Sequence, residues 1–357
     1  MEKQRVLLGM SGGVDSTAAA VLLEEMGYEV VGATLQMHSW EAERCASARD
    51  VEDAAAAARR LGLAFCAPDC REEFARWVMA DFAGEYAAGR TPNPCVRCNR
   101  YVKFPGLLRQ ADAMGCRYIA TGHYARVSYG EALGRWQLLR GEDRQKDQSY
   151  VLYPLSQETL SRLLLPLGER SKGEVRELTA QAGLANAQKP DSQDICFIPD
   201  GDYLRFLRSW GGQETPEGDF VDEAGNLLGR HRGQAAYTLG QRRGLGVSAG
   251  RPLYVVGKDP EENRVTLGDE EALFHRRLRA EQFNWVSIPC PGEGALEVTA
   301  KTRYSQREAK AEVRALPEGR VEVTFREPQR AVTPGQSVVL YDGDLVLGGG
   351  IITEAWD

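Results

Sequence analysis

Apolar runs and helix-spaced apolar positions alternate along the first third of the chain. A run with buried-strand character lies over 5–9 and a second over 28–35, and residues 17–26 between them have the spacing of a helix. A further helix over 46–61 and short strands over 64–67 and 118–121 follow. Strands that alternate with helices are typical of a parallel sheet covered by helices. The pattern therefore predicts an N-terminal α/β domain.

After about residue 205 the pattern changes to short stretches broken by turn residues. Residues 296–300 and 321–325 alternate between apolar and polar side chains, and Asp342-Gly343 separates two apolar runs as a tight hairpin does. These features predict a small β-barrel at the C-terminal end.

Glycine and proline clusters near 211–218 and 289–294 indicate domain boundaries. The predicted fold class is α/β plus β. It consists of a parallel-sheet domain over 1–205, a central β-rich domain over 206–282 and a C-terminal β-barrel over 283–357.

Composition and charge narrow the range of functions. The chain has 357 residues, more than one hydrophobic core usually serves, which agrees with two or three domains. No run approaches the roughly 18 to 20 apolar residues of a membrane helix, and the first residues lack the apolar stretch of a signal peptide. We expect a cytoplasmic protein without a membrane partner. A net charge of -7 argues against a protein that coats nucleic acid indiscriminately.

A glycine-rich loop follows the first predicted strand and opens the first predicted helix. It has the sequence Ser11-Gly12-Gly13-Val14-Asp15-Ser16. Backbone N–H groups and a helix N-terminus converge on an anion in this geometry, so the loop predicts phosphate binding, with Asp15 as a candidate magnesium ligand. A serine-capped strand-to-helix turn is the simpler alternative. The loop resembles the pyrophosphatase loop of enzymes that split ATP into AMP and pyrophosphate, and the chain has no Walker-type Gly-x-x-x-x-Gly-Lys-Ser/Thr sequence.

Thiols are the second source of candidate chemistry. The chain has eight cysteines. Because the cytosol keeps thiols reduced, we expect them to serve catalysis or metal binding rather than a disulfide framework. Cys95 and Cys98 lie in a proline-rich stretch that predicts a constrained loop, and the nearby Arg97 and Arg100 are expected to favour the thiolate. Cys196, flanked by apolar residues, is either a buried structural cysteine or a second reactive thiol.

Taken together, these stretches resemble the tRNA-specific 2-thiouridylases, the MnmA family of PP-loop ATP pyrophosphatases. The matching stretches run across nearly the whole chain and are Gly9 to Ser16, Thr91 to Asn99, Ala120 to Tyr124, Lys146 to Tyr150, Asp191 to Phe197, Tyr237 to Gly244 and Lys301 to Tyr304. The resemblance implies an adenine-nucleotide α-hydrolase-like N-terminal domain that binds ATP. The implied ATP-contacting residues are Gly9, Met10, Ser11, Gly12, Gly13, Val14, Asp15, Ser16, Leu35 and Gly122.

The same resemblance implies sulfur transfer to RNA, with ATP and Mg2+ as cofactors. ATP would adenylate the C2 oxygen of the wobble uridine of tRNA, and sulfur would replace the departing AMP to give 2-thiouridine. Cys98 stands at the family's nucleophile position and Cys196 at the position that accepts persulfide sulfur. The two would end as a disulfide that an external reductant opens, and a persulfide-carrying protein would supply the sulfur.

One position departs from the family pattern. Many members carry aspartate where this chain has Cys95, which makes Cys95 a third candidate catalytic thiol. Cys95, Cys98 and Cys196 could together hold an iron–sulfur cluster with one open iron site. A Cys-x-x-Cys pair also fits a redox pair or zinc, so these alternatives stay open.

Two basic stretches without acidic residues, 86–111 and 230–258, predict places where the phosphates of an RNA partner bind, although a solvated basic face explains either stretch alone. Tyr237, Tyr254 and Tyr304 are candidate rings for stacking on bases. The resemblance implies that Asn93, Pro94 and Cys95 lie near the target base. It implies further tRNA contacts from His123, Lys146, Asp147, Gln148, Arg303, Tyr304 and Gln336.

The residues alone leave two other functions open. A PP-loop ligase that delivers an amine to a small metabolite would use the same glycine loop without needing Cys98 or Cys196. A non-catalytic RNA-binding protein would use the β-barrel as its working part.

Overall fold

The computed structural model describes residues 3–40, 46–181, 195–212, 214–292 and 294–357. Cys45 and the residues 191–194, which begin the matching stretch around Cys196, lie outside this set. The described strands are β1 (Arg5–Gly9), β2 (Glu29–Ala33), β3 (Ala64–Cys66), β4 (Tyr118–Thr121), β5 (Ala125–Gly130), β6 (Arg135–Arg140), β7 (Leu163–Leu164), β8 (Gly218–Val221), β9 (Leu227–His231), β10 (Tyr254–Asp259), β11 (Arg264–Gly268), β12 (Phe274–Asn284), β13 (Ala295–Lys301), β14 (Ala309–Leu316), β15 (Arg320–Arg330), β16 (Ser337–Asp342) and β17 (Leu345–Trp356).

The described helices are α1 (Val14–Glu25), α2 (Ala46–Arg60), α3 (Arg71–Phe74), α4 (Ala80–Ala87), α5 (Pro94–Cys98), α6 (Phe104–Ala113), α7 (Ser149–Leu152), α8 (Gln157–Arg162), α9 (Lys172–Gln181) and α10 (Tyr203–Ser209). π-Helical turns over Ala75–Met79 and Asn99–Lys103 join α3 to α4 and α5 to α6. Within the described ranges, no helix has both the length and the apolar character that crossing a bilayer requires.

The N-terminal sheet is parallel, with the strand order β3-β2-β1-β4-β7. Gly9 at the end of β1 pairs with Ala33 of β2 and with Thr121 of β4, so the carboxyl ends of these strands meet at one edge. Apolar residues of α1 and α2 pack on one face of the sheet, and those of α6 and α8 pack on the other. The predicted parallel α/β domain is confirmed.

The proline-rich stretch 91–99 is partly helical, so the prediction of a constrained loop throughout is wrong. Asn93 caps α5, because its side-chain oxygen accepts the N–H of Cys95 at 3.2 Å. Pro94 occupies the first turn, where its missing N–H costs no hydrogen bond. The chain continues from α5 through the π-helical turn into α6, so Cys95 and Cys98 lie near the start of a long helical run.

The C-terminal sheet closes into a barrel. The strand order β12-β15-β14-β13-β16-β17 returns to its start because β12 also pairs with β17. The predicted β-barrel is confirmed, but β12 runs across the expected boundary at residue 283. The turn residues near 289–292 connect β12 to β13 inside the barrel. The β5–β6 hairpin of the N-terminal region also joins this sheet, through a pairing of Leu139 with Leu345.

The central region forms a separate sheet with the order β10-β11-β8-β9. Phe220, Tyr237, Val255 and Val265 are buried in its core. Tyr237 and Tyr254 are buried, so the expectation that these two rings stack on bases is wrong, whereas Tyr304 is 43% exposed.

Two polar side chains of the barrel region connect it to the rest of the molecule. Nη2 of Arg303 donates to the carbonyl of Leu239 at 3.2 Å in the central region, and to the carbonyl of Ala331 and the hydroxyl of Thr333 at 3.1 and 2.6 Å. Nε2 of Gln336 donates to the carbonyl of Thr91 at 2.8 Å. These bonds fix the barrel against the central sheet and against the loop that precedes α5.

We expect Arg303→Met to lower the free energy of unfolding by about 2 kcal/mol, because it removes the donor that satisfies three oxygen atoms at the junction. Urea denaturation followed by tryptophan fluorescence measures the change. Arg277→Met, at an exposed position of β12, is the matched control and should change the free energy by less than about 0.5 kcal/mol. Equal effects of the two substitutions would contradict the connecting role of Arg303.

Candidate active site

The glycine loop lies at the carboxyl edge of the parallel sheet, between β1 and α1. Gly13 caps α1 without any side-chain hydrogen bond to the first helical N–H groups. The hydroxyls of Ser16 and Thr17 instead donate to the carbonyl of Gly13 at 3.2 and 2.9 Å, and the N–H of Ser11 donates to the Ser16 hydroxyl at 3.2 Å. This loop therefore presents a helix N-terminus whose backbone donors suit an anion such as a phosphate.

Two glycines of the site admit no side chain. Gly12 has a φ of +69°, and a Cβ there would lie 2.6 Å from the Cβ of Asp53. Gly122 follows β4, and its Cβ would lie 2.8 Å from the backbone carbon of Asp15 and 2.9 Å from the nitrogen of Ser16. The loop after β4 is therefore packed directly on the backbone of the glycine loop.

Asp15, the candidate magnesium ligand, is bound by two side chains. Nζ of Lys172 at the start of α9 donates to both carboxylate oxygens at 2.8 and 2.9 Å, and the hydroxyl of Tyr124 donates to Oδ1 at 2.8 Å. Lys172 is buried, so this ion pair is partly shielded from solvent. A metal ion at Asp15 would have to take an oxygen from Lys172.

The other implied ATP-contacting residues lie around the same edge. Met10 and Val14 are buried in the core that α1 shares with the sheet. Leu35 follows β2 and packs against α6, where its Cδ1 would lie 3.3 Å from a Cβ at Gly106. These residues thus lie at the carboxyl edge of the parallel sheet, where Gly9 pairs with Ala33.

The three candidate thiols lie in the same part of the structure. Cys98 is 7% exposed and belongs to a hydrophobic cluster that also contains Phe197 and Ile198, the residues directly after Cys196. After burial, which is the largest cause, Cys95 raises the pKa of Cys98, and both Cys98 and Cys95 raise the pKa of Cys196. The structure therefore brings together residues that are 98 positions apart in the chain, since 196 − 98 = 98.

Burial keeps these thiols protonated. Desolvation is the main cause that raises the pKa of Cys98 to about 11 and that raises the pKa values of Cys95 and Cys196. Cys95 and Cys196 nevertheless have exposed surface. The reading of Cys196 as a buried structural cysteine is therefore wrong.

The positive charge that acts on the thiols comes from Lys103 and not from the arginines that the sequence indicates. Lys103 lowers the pKa values of all three thiols, although less than burial raises them. Arg97 pairs with Asp81, and Arg97 and Arg100 both lie over the ring of Tyr101. The expectation that Arg97 and Arg100 favour the thiolate is wrong, because their guanidinium groups contact Asp81, Gln282 and Tyr101 instead.

His123 connects the glycine loop to the thiols. It follows Gly122, its Nδ1 lies 2.6 Å from the hydroxyl of Thr121, and its ring is 5.9 Å from the ring of Phe104. Burial and then the charge of Lys103 lower the pKa of His123 well below its usual value, so the ring is neutral near pH 7. The nucleotide side and the thiol side of the site are therefore adjacent.

Most of the residues to which the resemblance assigns tRNA contacts form hydrogen bonds within the protein itself. The buried Asp147 accepts the N–H of Gly141 and both donors of Ser149, and the side chain of Gln148 accepts the N–H of Tyr124 at 2.9 Å. Arg303 and Gln336 make the junction bonds described above. Asn93 and Pro94 begin α5, and the backbone N–H of Lys146 donates to Asp143.

Tyr304 is the one exposed ring among the three tyrosines that are candidates for stacking on bases. Its ring lies 5.9 Å from that of Tyr150, and Nζ of Lys301 lies 5.8 Å above it. Burial, then Asp147 and Cys95, raise the pKa of Tyr304, so the barrel brings this ring near Cys95.

Carboxylates neutralise much of the two basic stretches. Arg90, Arg97 and Arg109 pair with Glu85, Asp81 and Glu73, and Arg230 and Arg251 pair with Asp219 and Asp269. Lys258 is half-buried and donates to the carbonyl of Tyr237 at 3.0 Å. Arg100, Lys103, Arg232, Arg242 and Arg243 make no ion pair with any carboxylate in the described part of the chain. The basic surface for phosphates is therefore smaller than the sequence suggests.

Sequence reasoning missed three site residues: Lys103, Lys172 and His38. Lys103 was only one of several cations in a basic stretch, and its position five residues after Cys98 matters because of the intervening π-helical turn. Lys172 lies 157 positions after Asp15 in the chain, so no local signal links them. His38 contacts the ring of Phe197, 6.3 Å away between centroids.

Comparisons with known proteins agree with this architecture. Models described as the tRNA methyl transferase HUP domain, PRC-barrel domain and aminomethyltransferase beta-barrel domain match residues 4–200, 205–269 and 275–352. The chain is 48% identical to the tRNA-specific 2-thiouridylase MnmA of Acetivibrio thermocellus, covering 99% of this chain and 100% of that protein. It is 49% identical to the protein of that name from Heliobacterium modesticaldum, covering 99% and 94%.

A solved structure of the U34-tRNA thiolase NcsA from Methanococcus maripaludis is 16% identical, with a TM-score of 0.33 over 59% of this chain and 73% of that one, too weak a likeness to support an argument. The matches over the full length decide the assignment. On this basis the chain belongs to the family of tRNA-specific 2-thiouridylases.

Proposed function

We propose that the chain is an ATP-dependent tRNA-uridine 2-sulfurtransferase, which exchanges the C2 oxygen of the wobble uridine for sulfur. The observation that supports this proposal best is the contact between the two halves of the site. Gly122 packs on the glycine loop, and the next residue, His123, lies in the field of Lys103, which also acts on the three thiols. An oxygen adenylated at the loop would therefore be formed beside the thiols.

The reaction proceeds in two stages in this proposal. The C2 oxygen attacks the α-phosphate of ATP, pyrophosphate leaves, and the oxygen becomes part of an AMP leaving group. The terminal sulfur of a persulfide on Cys196 then attacks C2, and AMP departs with the oxygen. The thiolate of Cys98 attacks Sγ of Cys196, which breaks the bond between that Sγ and the transferred sulfur, leaves C2 bonded to sulfur, and forms a disulfide.

The cofactors are ATP and Mg2+, as expected for a PP-loop family. The backbone N–H groups at the start of α1 suit the phosphates of ATP. The ammonium group of Lys172 lies beside these N–H groups, because it donates to Asp15 in the first turn of the same helix. Mg2+ supplies positive charge at the departing pyrophosphate when it is bound. We propose that Lys172 gives up part of its contact with Asp15 when the nucleotide enters.

The proposed partners follow from the chemistry. The tRNA is the substrate, a persulfide-carrying protein loads Cys196, and a two-electron reductant reopens the Cys98–Cys196 disulfide after each turnover. Tyr304 and the cations without carboxylate partners are the surface we propose for the RNA. We propose a cytoplasmic location, because thiols are kept reduced there.

The direct test uses the chain with ATP, Mg2+, unmodified tRNA and a persulfide donor. We expect mass spectrometry of the nucleosides to show one exchange of oxygen for sulfur at the wobble uridine. Cys98→Ser and Cys196→Ser should each reduce the product at least about a hundredfold, because each removes a sulfur atom that the covalent steps use. Cys290→Ser, at an exposed thiol, is the matched control and should keep the wild-type rate.

Three outcomes would contradict the proposal. Wild-type activity in a chain without Cys98 and Cys196 would exclude the sulfur relay. AMP formation that requires an amine and gives no thiolated product would favour an amidating ligase. A chain that binds tRNA but never releases AMP would be a binding protein.

The pKa of Cys98, raised by burial to about 11, predicts a steep pH dependence of its reactivity. Only the thiolate reacts, so alkylation by iodoacetamide should become about tenfold faster per pH unit below the pKa. Lys103→Met should slow the reaction at a fixed pH, and Lys103→Arg should not. Trypsin cuts after Arg97, so mass spectrometry reads Cys95 and Cys98 in separate peptides. A rate that is flat above pH 7 would contradict the raised pKa.

An iron–sulfur cluster held by Cys95, Cys98 and Cys196 is the alternative to a relay through free thiols. In the described ranges no three His, Cys, Asp or Glu side chains lie close enough to hold a metal ion, so the thiols as placed do not fit that group. The proposed relay therefore uses only the free thiols.

Iron analysis of anaerobically purified protein separates the two possibilities. We expect no stoichiometric iron and no broad visible absorption band. Cys95→Asp, which introduces the residue that many members carry, should thiolate tRNA within about threefold of the wild-type rate, because the relay uses Cys98 and Cys196. Stoichiometric iron that Cys95→Asp or a chelator removes together with the activity would establish the cluster.

A further inference from the structure

The segment that follows β2 lies against both cysteines of the proposed relay. Sδ of Met37 is 3.8 Å from Sγ of Cys98. The next residue, His38, is 7% exposed and packs in the aromatic part of the cluster that contains Cys98. Its ring centroid is 5.7 Å from that of Phe74 in a stacked arrangement and 6.3 Å from that of Phe197 at a steep angle.

Cys196 is held from one side by an aromatic anchor. The ring of Phe197 is fully buried, with centroids 5.6, 5.4 and 5.0 Å from those of Phe74, Phe82 and Phe206. This anchor fixes the residue after Cys196, but rotation of the backbone at Cys196 would still move its exposed thiol. A second contact is needed to set the direction of that thiol.

His38 supplies the second contact. Its ring forms a hydrogen bond with the backbone of Cys196, and this bond favours the protonated ring, so the imidazole donates. Burial has the larger, opposite effect and lowers the pKa of His38, so the ring is neutral near pH 7 and has one N–H to donate. A buried imidazole is costly without a partner, and an apolar side chain would fill this aromatic site at less cost.

We propose that His38 is a positioning residue, which fixes the backbone of Cys196 so that the sulfur-accepting thiol stays beside Cys98. The proposal rests on the sulfur relay proposed above. It gives the segment after β2 two functions, since Leu35 lies at the nucleotide edge and the following Met37 and His38 lie against the thiols. His38 takes no part in proton or sulfur transfer and acts only through the position of Cys196.

The experiment measures the reaction between the two cysteines without ATP or tRNA. The full chain is treated with diamide, and mass spectrometry of alkylated tryptic peptides gives the rate of formation of the Cys98–Cys196 disulfide. His38→Phe keeps a ring in the aromatic cluster but removes the donor, and we expect it to slow this reaction about tenfold. His38→Asn or His38→Gln places an amide N–H near one of the two ring nitrogens, and one of them should recover at least half of the wild-type rate.

A second measurement distinguishes positioning from a general structural effect. Pyrophosphate release in the first turnover with ATP and tRNA reports the adenylation step, which does not use Cys196. We expect His38→Phe to leave this release within about twofold of wild type, while sulfur transfer from a persulfide donor falls as much as disulfide formation does. The thermal unfolding midpoint should stay close to that of wild type.

Two results would overturn the proposal. Disulfide formation at the wild-type rate in His38→Phe would show that the bond does not position Cys196. An equal loss of pyrophosphate release and of disulfide formation, with no recovery in either amide variant, would show that His38 only supports the fold. If wild-type protein thiolates no tRNA but its disulfide rate still depends on His38, the proposed function fails and the positioning of Cys196 stands.

Discussion

Parallel pairing of three neighbouring strands is the constraint on which the site depends. Because β1, β2 and β4 run in the same direction, with Gly9 level with Ala33 and Thr121, the loops that follow them all leave from one edge of the sheet. The first of these loops carries the glycine motif, the second leads to His38, and the third contains Gly122 and His123. Crevices at the carboxyl ends of parallel strands are the usual binding places of open α/β sheets.

At the thiol side of the site, Cys98 is buried and lies near the other two candidate thiols. Burial raises the pKa of Cys98 and keeps the thiol in its protonated, less oxidisable form, and Lys103 offsets only part of that effect. A relay through these cysteines gains from such an arrangement, since a thiolate forms only when a neighbour or a bound substrate supplies further stabilisation. The hydrophobic cluster that buries Cys98 also holds Phe197, so the same packing lowers the reactivity of one thiol and anchors the residue that follows the other.

The polar candidate residues and Lys103 divide into two groups by their contacts. Asp147, Gln148, Arg303 and Gln336 have their polar atoms bonded to backbone groups of other loops and strands. Tyr304 instead has an exposed ring, and Lys103 acts on the thiols and has no carboxylate partner among the described residues. The barrel thus contributes to the site mainly by holding α5 and its preceding loop in place, through Gln336 and the Thr91 backbone, and by presenting one exposed ring.

The sequence by itself determined those parts of the protein that depend on short-range signals. The strands over 5–9 and 118–121, the glycine loop with its helix, the barrel strands with alternating side chains, and the cysteines at family positions all follow from a few consecutive residues. The proline-rich stretch by itself does not decide the start of α5, because proline both begins helices, as at Asn93-Pro94, and breaks them. Only the tertiary structure decided that Lys172 pairs with Asp15, that Lys103 acts on the thiols in place of the arginines, that Tyr237 is buried, and that the β5–β6 hairpin joins the barrel. Burial and long-range contacts set these features, and neither is encoded within one short stretch of the chain.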